Sequence, residues 1–108
     1  MKHKTVHQIR LSGKQVKISH LRRYYFHDPK TGRKQIKLLS FEEHMEKYPY
    51  YFLDALGGST LLSITDNKNP NHSVSVKAEC SILDRYNRKV GVRIALGRAL
   101  EAFEKLSS

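Results

Sequence analysis

Arg22-Arg23-Tyr24-Tyr25-Phe26-His27, followed by Lys30, Arg33, Lys34 and Lys37, interleaves cations with aromatic rings along one stretch of chain. That mixture suits a polyanion that carries bases, because phosphates attract the cations and unpaired bases stack on ring faces. If the stretch is extended, alternation puts Arg22, Tyr24 and Phe26 on one side and Arg23, Tyr25 and His27 on the other. The competing explanation is an ordinary aromatic core beneath a solvated basic edge that blocks aggregation. Charge distribution decides between them. Residues 1–40 hold eleven basic side chains (Lys2, Lys4, Arg10, Lys14, Lys17, Arg22, Arg23, Lys30, Arg33, Lys34, Lys37) against the single acid Asp28. Residues 41–108 hold nine basic and nine acidic side chains, so the whole net charge of +10 sits in the first 40 residues. Such a concentration repels itself, and a phosphate-bearing partner relieves the repulsion. Nucleic acid, DNA ahead of RNA, is therefore the expected partner. The contact residues are Arg22, Arg23, Tyr25, Lys30, Arg33, Lys34 and Lys37.

A second constellation lies near the C-terminus. On a helix, Arg85, Arg88 and Lys89 fall side by side at i, i+3 and i+4, in first turns that favour anions. With Arg98 they form a secondary phosphate-binding candidate, weighed against simple ion pairing with Asp84, Glu101 and Glu104. The six histidines (His3, His7, His20, His27, His44, His72) lack metal-ligand spacing, so no metal and no cofactor is expected. Cys80 closes an apolar strand face and reads as buried and inert. Gly57-Gly58-Ser59 lacks the Lys-Ser/Thr of a phosphate loop. No nucleophile–base pair or carboxylate pair can be assembled, and the chain is not expected to be an enzyme.

The elements that position these residues follow from pattern. At 108 residues the chain has room for a single domain, 1–108. One cysteine excludes an internal disulfide, and no apolar run suits a signal peptide or a membrane span, so a cytoplasmic, non-membrane location is expected. Residues 5–12 read as a strand, Gly13-Lys14 as a turn and Gln15 to Phe26 as a strand or a broken pair of strands. Asp28-Pro29-Lys30-Thr31-Gly32 carries hairpin chemistry and Lys34 to Leu39 returns, completing a three-stranded antiparallel meander. Ser40 and Glu43 form a capping box. The helix they open is interrupted at Pro49, restarts over Tyr50–Leu56 and stops at Gly57-Gly58; Phe41, Met45, Phe52, Leu53 and Leu56 supply its buried face. Ser59–Thr65 and His72–Cys80 form a second hairpin, with Val74, Val76, Ala78 and Cys80 facing inward. Ser81 and Asp84 cap a long C-terminal helix over about Asp84–Leu106, packed on the sheet. Val92, Ala95, Leu96, Ala99, Phe103 and Leu106 line one side of it, and Tyr86, Val90, Ile94 and Gly97 the other. A helix apolar on both sides is either sandwiched or packed against a second subunit, so a homo-oligomer is one of the two arrangements this pattern allows. The fold class is α+β.

Two resemblances add to this. Residues 22–56, from Tyr-Phe-His-Asp-Pro-Lys-Thr-Gly-Arg-Lys-Gln into Ser-Phe-Glu-Glu and a helix, resemble the N-terminal arm-binding domain of phage and transposon integrases. That likeness implies a three-stranded sheet entering the major groove, with Arg33, Lys34 and Lys37 facing DNA. Residues 80–100, Cys-Ser-Ile-Leu-Asp-Arg-Tyr-Asn-Arg-Lys-Val-Gly through Gly-Arg-Ala-Leu, are similar to the C-terminus of small phage-encoded proteins and imply a viral origin and a host cytoplasm. The leading expectation is a small basic phage-type accessory protein that binds nucleic acid through its N-terminal meander. The alternative is a phage counter-defence protein that grips a host protein or sequesters a phosphate-bearing nucleotide signal with Arg85, Arg88 and Arg98.

Overall fold

Thr5 places a hydroxyl three residues ahead of Gln8, and that spacing decides the first element of the computed structural model, which describes residues 5–107. The Thr5 hydroxyl accepts from the Gln8 backbone N–H at 3.2 Å, and the Gln8 side chain accepts from the Thr5 N–H at 2.9 Å. The reciprocal cap opens helix α1 (Val6–Leu11), so the strand expected over 5–12 is a helix. A cap satisfies two orphan amide donors at once, which outweighs the mild β preference of Val6 and Ile9. Met1 to Lys4, including the cations Lys2 and Lys4 and the ring of His3, lie outside the described residues.

The sheet is built on β1 (Lys14–His27). Its first half pairs antiparallel with β4 (Leu56–Asp66), from Lys14 opposite Asp66 to Leu21 opposite Ser59. Its second half pairs with β2 (Lys34–Leu39), from Arg22 opposite Leu39 to His27 opposite Lys34. Short β3 (Phe52–Leu53) joins the other edge of that half at Tyr24 and Tyr25. With β5 (Ser73–Arg85) beyond β4, the order is β2-β1-β4-β5, with β3 beside β1, in a five-stranded sheet. The three-stranded unit next to the basic hairpin is thus β2-β1-β3 rather than a meander of the first 40 residues.

Helix α2 (Phe41–Lys47) begins where Ser40 accepts from the Glu43 N–H at 3.1 Å. The expected restart over 50–56 does not occur. Tyr50 to Phe52 is an aromatic run that follows Pro49, so it suits a strand, and the Asp54 N–H donates to the Arg23 carbonyl at 2.8 Å. Gly57 and Gly58 adopt φ of +73° and +115° where the register between β4 and β5 shifts; they lie within β4, not at a helix stop. The long helix also starts later than its sequence suggests. Cys80 pairs with Gly58 and Arg85 with Leu56, so Ser81–Asp84 bulge out of β5 and present Ile82 and Leu83 to solvent. Asn87 then caps α3 (Arg88–Ser107), its side-chain oxygen accepting from the Val90 N–H at 3.1 Å.

Val16, Leu62, Ile64 and Ala78 face Ala95, Leu96, Ala99 and Phe103 of α3, with Ile9 of α1 sealing one end. Each buried aliphatic of this kind contributes about 1.5–3 kcal/mol. The long C-terminal helix therefore packs on the sheet as expected. Val90, Ile94 and Leu106 remain exposed. A second, smaller core of Tyr24, Leu39 and Tyr51, flanked by Phe26 and Tyr48, ties α2 and the Tyr48–Tyr51 turn to the β1–β2 end. Both cores lie on one face of the sheet. Phe41, Met45, Phe52, Leu53 and Leu56, expected as a buried helix face, are all exposed.

Between the cores sits a polar joint. Tyr86 donates to the Ser59 carbonyl at 3.1 Å and lies against Thr60 Oγ1 at 2.6 Å and His20 Nδ1. Burial, then the nearby charges of Arg88 and Arg22, hold the His20 pKa below the ordinary histidine range. Above about pH 6.5 the ring is neutral in both folded and unfolded chains; below it the unfolded chain takes up a proton that the folded chain resists. Stability is therefore expected to fall as pH drops below that value. Urea midpoints compared at pH 7.5 and 5.5 should show the loss, and His20→Gln should reduce it.

Candidate nucleic-acid interface

Because all the helices pack on one face, the opposite face of the sheet carries no covering element among the described residues. The alternation read from sequence holds along β1. Arg22, Tyr24 and Phe26 point to the helix side, while Arg23, Tyr25 and His27 point to the bare side. Register builds the bare face in rows. Ile36, Tyr25 and Phe52 sit opposite one another across β2, β1 and β3; Lys34 sits beside His27 on one flank and Leu38 beside Arg23 on the other. Lys34 Nζ lies 4.9 Å from the centre of the Tyr25 ring, and the Tyr25 and Phe52 rings are 5.8 Å apart at a tilt of 36°. Phe52 is 62% exposed, and Ile36 and Leu38 are about half exposed. Beyond Leu38 the exposed Ile82 closes a shallow groove with Arg23.

The seven expected contact residues divide. Lys30 and Arg33 stand on the exposed β1–β2 turn, where Asp28 spends one carboxylate oxygen on the Lys30 N–H at 2.8 Å. Lys34, Tyr25 and Arg23 share the bare face, although Arg23 is held by Asp54 at 3.8 Å and its side chain lies over Gly57. Arg22 and Lys37 point the other way. The Arg22 guanidinium stacks 4.7 Å from the Tyr86 ring, and Lys37 Nζ lies 4.9 Å from the Tyr48 ring. Cations stacked on rings in this way hold the fold together, at about 0.5–2 kcal/mol each, before they serve a ligand. Among the described residues Lys30, Arg33 and Lys34 pair with no carboxylate.

The secondary set does not converge. Arg85 ends β5, and Arg98 donates to the Lys77 carbonyl at 3.1 Å, where it satisfies an acceptor of the β5 strand. Arg88 and Lys89 do lie in the first turn of α3, but with Arg93 they rim an apolar cleft floored by Val6, Val92, Leu96 and Leu100. That lining offers apolar contact as well as charge, unlike a phosphate cup. Cys80 is half buried, not fully buried, with Sγ about 3.6 Å from the Asp84 and Arg85 carbonyls. Among the described residues no cluster of three His, Cys, Asp or Glu side chains suits a metal ion. No described helix is long and apolar enough to cross a membrane.

Phe52 is the interface residue that sequence reasoning misplaced. The signal that could have found it is the run Tyr50-Tyr51-Phe52-Leu53 directly after Pro49, which favours a strand over a restarted helix. Comparison with protein-family models, with curated proteins and with solved structures finds no significant match to this chain.

Proposed function

We propose that this protein binds nucleic acid through the bare face and turn of the β1–β2 hairpin. One observation carries the reading: Lys30, Arg33 and Lys34, which pair with no carboxylate among the described residues, adjoin a sheet face that no described helix covers and that bears Tyr25 and the exposed ring of Phe52. A cation set without carboxylate partners gains most from phosphates, since each contact releases condensed counterions. The resemblances of residues 22–56 and 80–100 support a phage or mobile-element setting, in which such a protein serves as an accessory factor.

Fluorescence polarisation tests this with labelled duplex DNA, single-stranded DNA and RNA at about 50 and 200 mM salt, the range over which phosphate contacts lose most affinity. Binding with a steep salt slope is expected. The triple variant Lys30→Ala/Arg33→Ala/Lys34→Ala should weaken it by about 10- to 100-fold and lower the slope by about two to three. Lys47→Ala, a change at a cation paired with Glu43, should leave it unchanged. An absence of binding at the lower salt sinks the proposal. The basic segment would then serve an acidic protein, and the cation-rimmed cleft between α1 and α3 becomes the surface to test.

A further inference from the structure

Resting on that reading, we infer that the strand this face takes is single-stranded, with bases stacked on Phe52 and Tyr25. The choice between duplex and single strand turns on which groups the face offers. A sheet that enters the major groove reads base edges with long hydrogen-bonding side chains, chiefly Arg, Lys, Asn and Gln. The β2-β1-β3 face instead presents Ile36, Tyr25 and Phe52 in its central row. Its arginine, Arg23, is tied to Asp54. Lys34 stands on the same face without a carboxylate partner among the described residues, and it already leans over Tyr25. A duplex groove would leave these rings against polar base edges and gain little from them. An unpaired base offers a flat apolar face that suits the exposed ring of Phe52.

The Phe52 ring belongs to neither buried core. The residue sits on a two-residue strand, 62% exposed, with its ring 5.8 Å from that of the half-buried Tyr25 at a tilt of 36°. An aromatic so exposed beside another, on a helix-free face, is a stacking platform whose sequence tolerance comes from the π-face common to all bases. Cations flank the platform. Lys34 and, around the turn, Lys30 and Arg33 lie on the hairpin side, where a backbone passing over the rings would place its phosphates. Toward β4 and β5 the same face turns hydroxyl-rich, with Ser19, Ser63 and Ser75 beside Thr65 and Ser73, whose hydroxyls bond each other at 2.9 Å.

The test compares an oligo-dT and an oligo-U of about 20 nucleotides with a duplex of about 20 base pairs, long enough to span an OB-fold-sized site. Each is titrated against the native chain, Phe52→Ala and Phe52→Leu. Wild type should bind the single strands more tightly than the duplex. Phe52→Ala should lose about 5- to 100-fold on the single strands and be unchanged on the duplex. Phe52→Leu, which keeps the apolar bulk without the ring, should lose nearly as much. Duplex preference, or single-strand affinity indifferent to Phe52→Ala, overturns the stacking inference while salt-dependent binding still upholds the broader proposal. Failure of all three oligonucleotides to bind overturns both. Phe52 packs into neither core, so circular dichroism should show Phe52→Ala folded.

Discussion

Ile64→Ala is expected to cost about 2–5 kcal/mol, among the largest losses from any single truncation in this chain. Ile64 is fully buried near the C-terminal end of β4, between Val16 on β1 and Val74 on β5, beneath α3. Its removal leaves a cavity bounded by backbone on three strands, which cannot collapse without breaking ladder pairing. A domain of this length has about 5–15 kcal/mol in total, so the variant approaches the threshold of folding. Urea denaturation should show a lower midpoint with an unchanged slope, and Ile64→Val should lose only about 0.5–1.5 kcal/mol. Ile36→Ala, on the bare face, is expected to change stability by less than about 0.5 kcal/mol. Equal losses at Ile36 and Ile64 would show that the bare face is covered in solution, and would contradict the fold's one-sided packing.

Gly91→Ala is expected to be destabilising by about 1–3 kcal/mol, against the gain of about 1 kcal/mol that alanine normally brings to a helix. A Cβ at Gly91 would clash with Thr60 Oγ1 and lie 3.2 Å from Thr60 Cβ. Neither atom is at the end of a flexible chain, and Thr60 is fully buried and engaged with Tyr86. Helix α3 would have to lift from β4, opening the polar joint that His20, Thr60 and Tyr86 close. Thermal unfolding should detect this as a lower Tm. The double variant Gly91→Ala/Thr60→Ala, which makes room for the added methyl, should recover part of the loss; if Gly91→Ala alone is neutral or stabilising, the close approach of α3 to β4 is wrong. A methyl added at Gly97 would meet no neighbour within 4 Å, so the same substitution there should follow helix propensity instead.

Residue by residue, what could be read in advance was whatever local chemistry controls alone. Asp28-Pro29-Lys30-Thr31-Gly32 encoded its turn, Ser40 its cap, and Val74, Val76 and Ala78 their inward face, because each signal spans only a few residues. The α+β class followed from these. Three features were hidden because tertiary pairing overrode local preference. Tyr50–Leu56 carries helix-like apolar spacing, yet β1 offers Tyr24 and Tyr25 an open edge that only a strand can fill. Ser81 and Asp84 have capping-box spacing, yet β5 continues to pair as far as Arg85 opposite Leu56. Thr5 and Gln8 had the box that does form, masked by β-branched neighbours. The candidate site was half visible. Its cations and Tyr25 stood in one run of sequence, but Phe52 reaches them only through β3, and nothing local indicates that Arg22 and Lys37 are turned away to stack on tyrosines.

The unbroken pairing of β1 has a thermodynamic consequence for any ligand. Its 14 residues, at about 3.3 Å each, run roughly 46 Å along a molecule whose long dimension is 56 Å. Every one of them has a partner across the ladder, with the hand-over from β4 to β2 falling between Leu21 and Arg22. No residue between Lys14 and His27 lacks a ladder partner, so the two halves of the sheet share one continuous strand. A ligand held at Lys34 and released on unfolding adds RT ln(1 + [L]/Kd) to the free energy of global unfolding, and it slows exchange of any amide near Val16 that opens only in that global event. In this architecture, occupancy at one tip is a brake on unfolding everywhere.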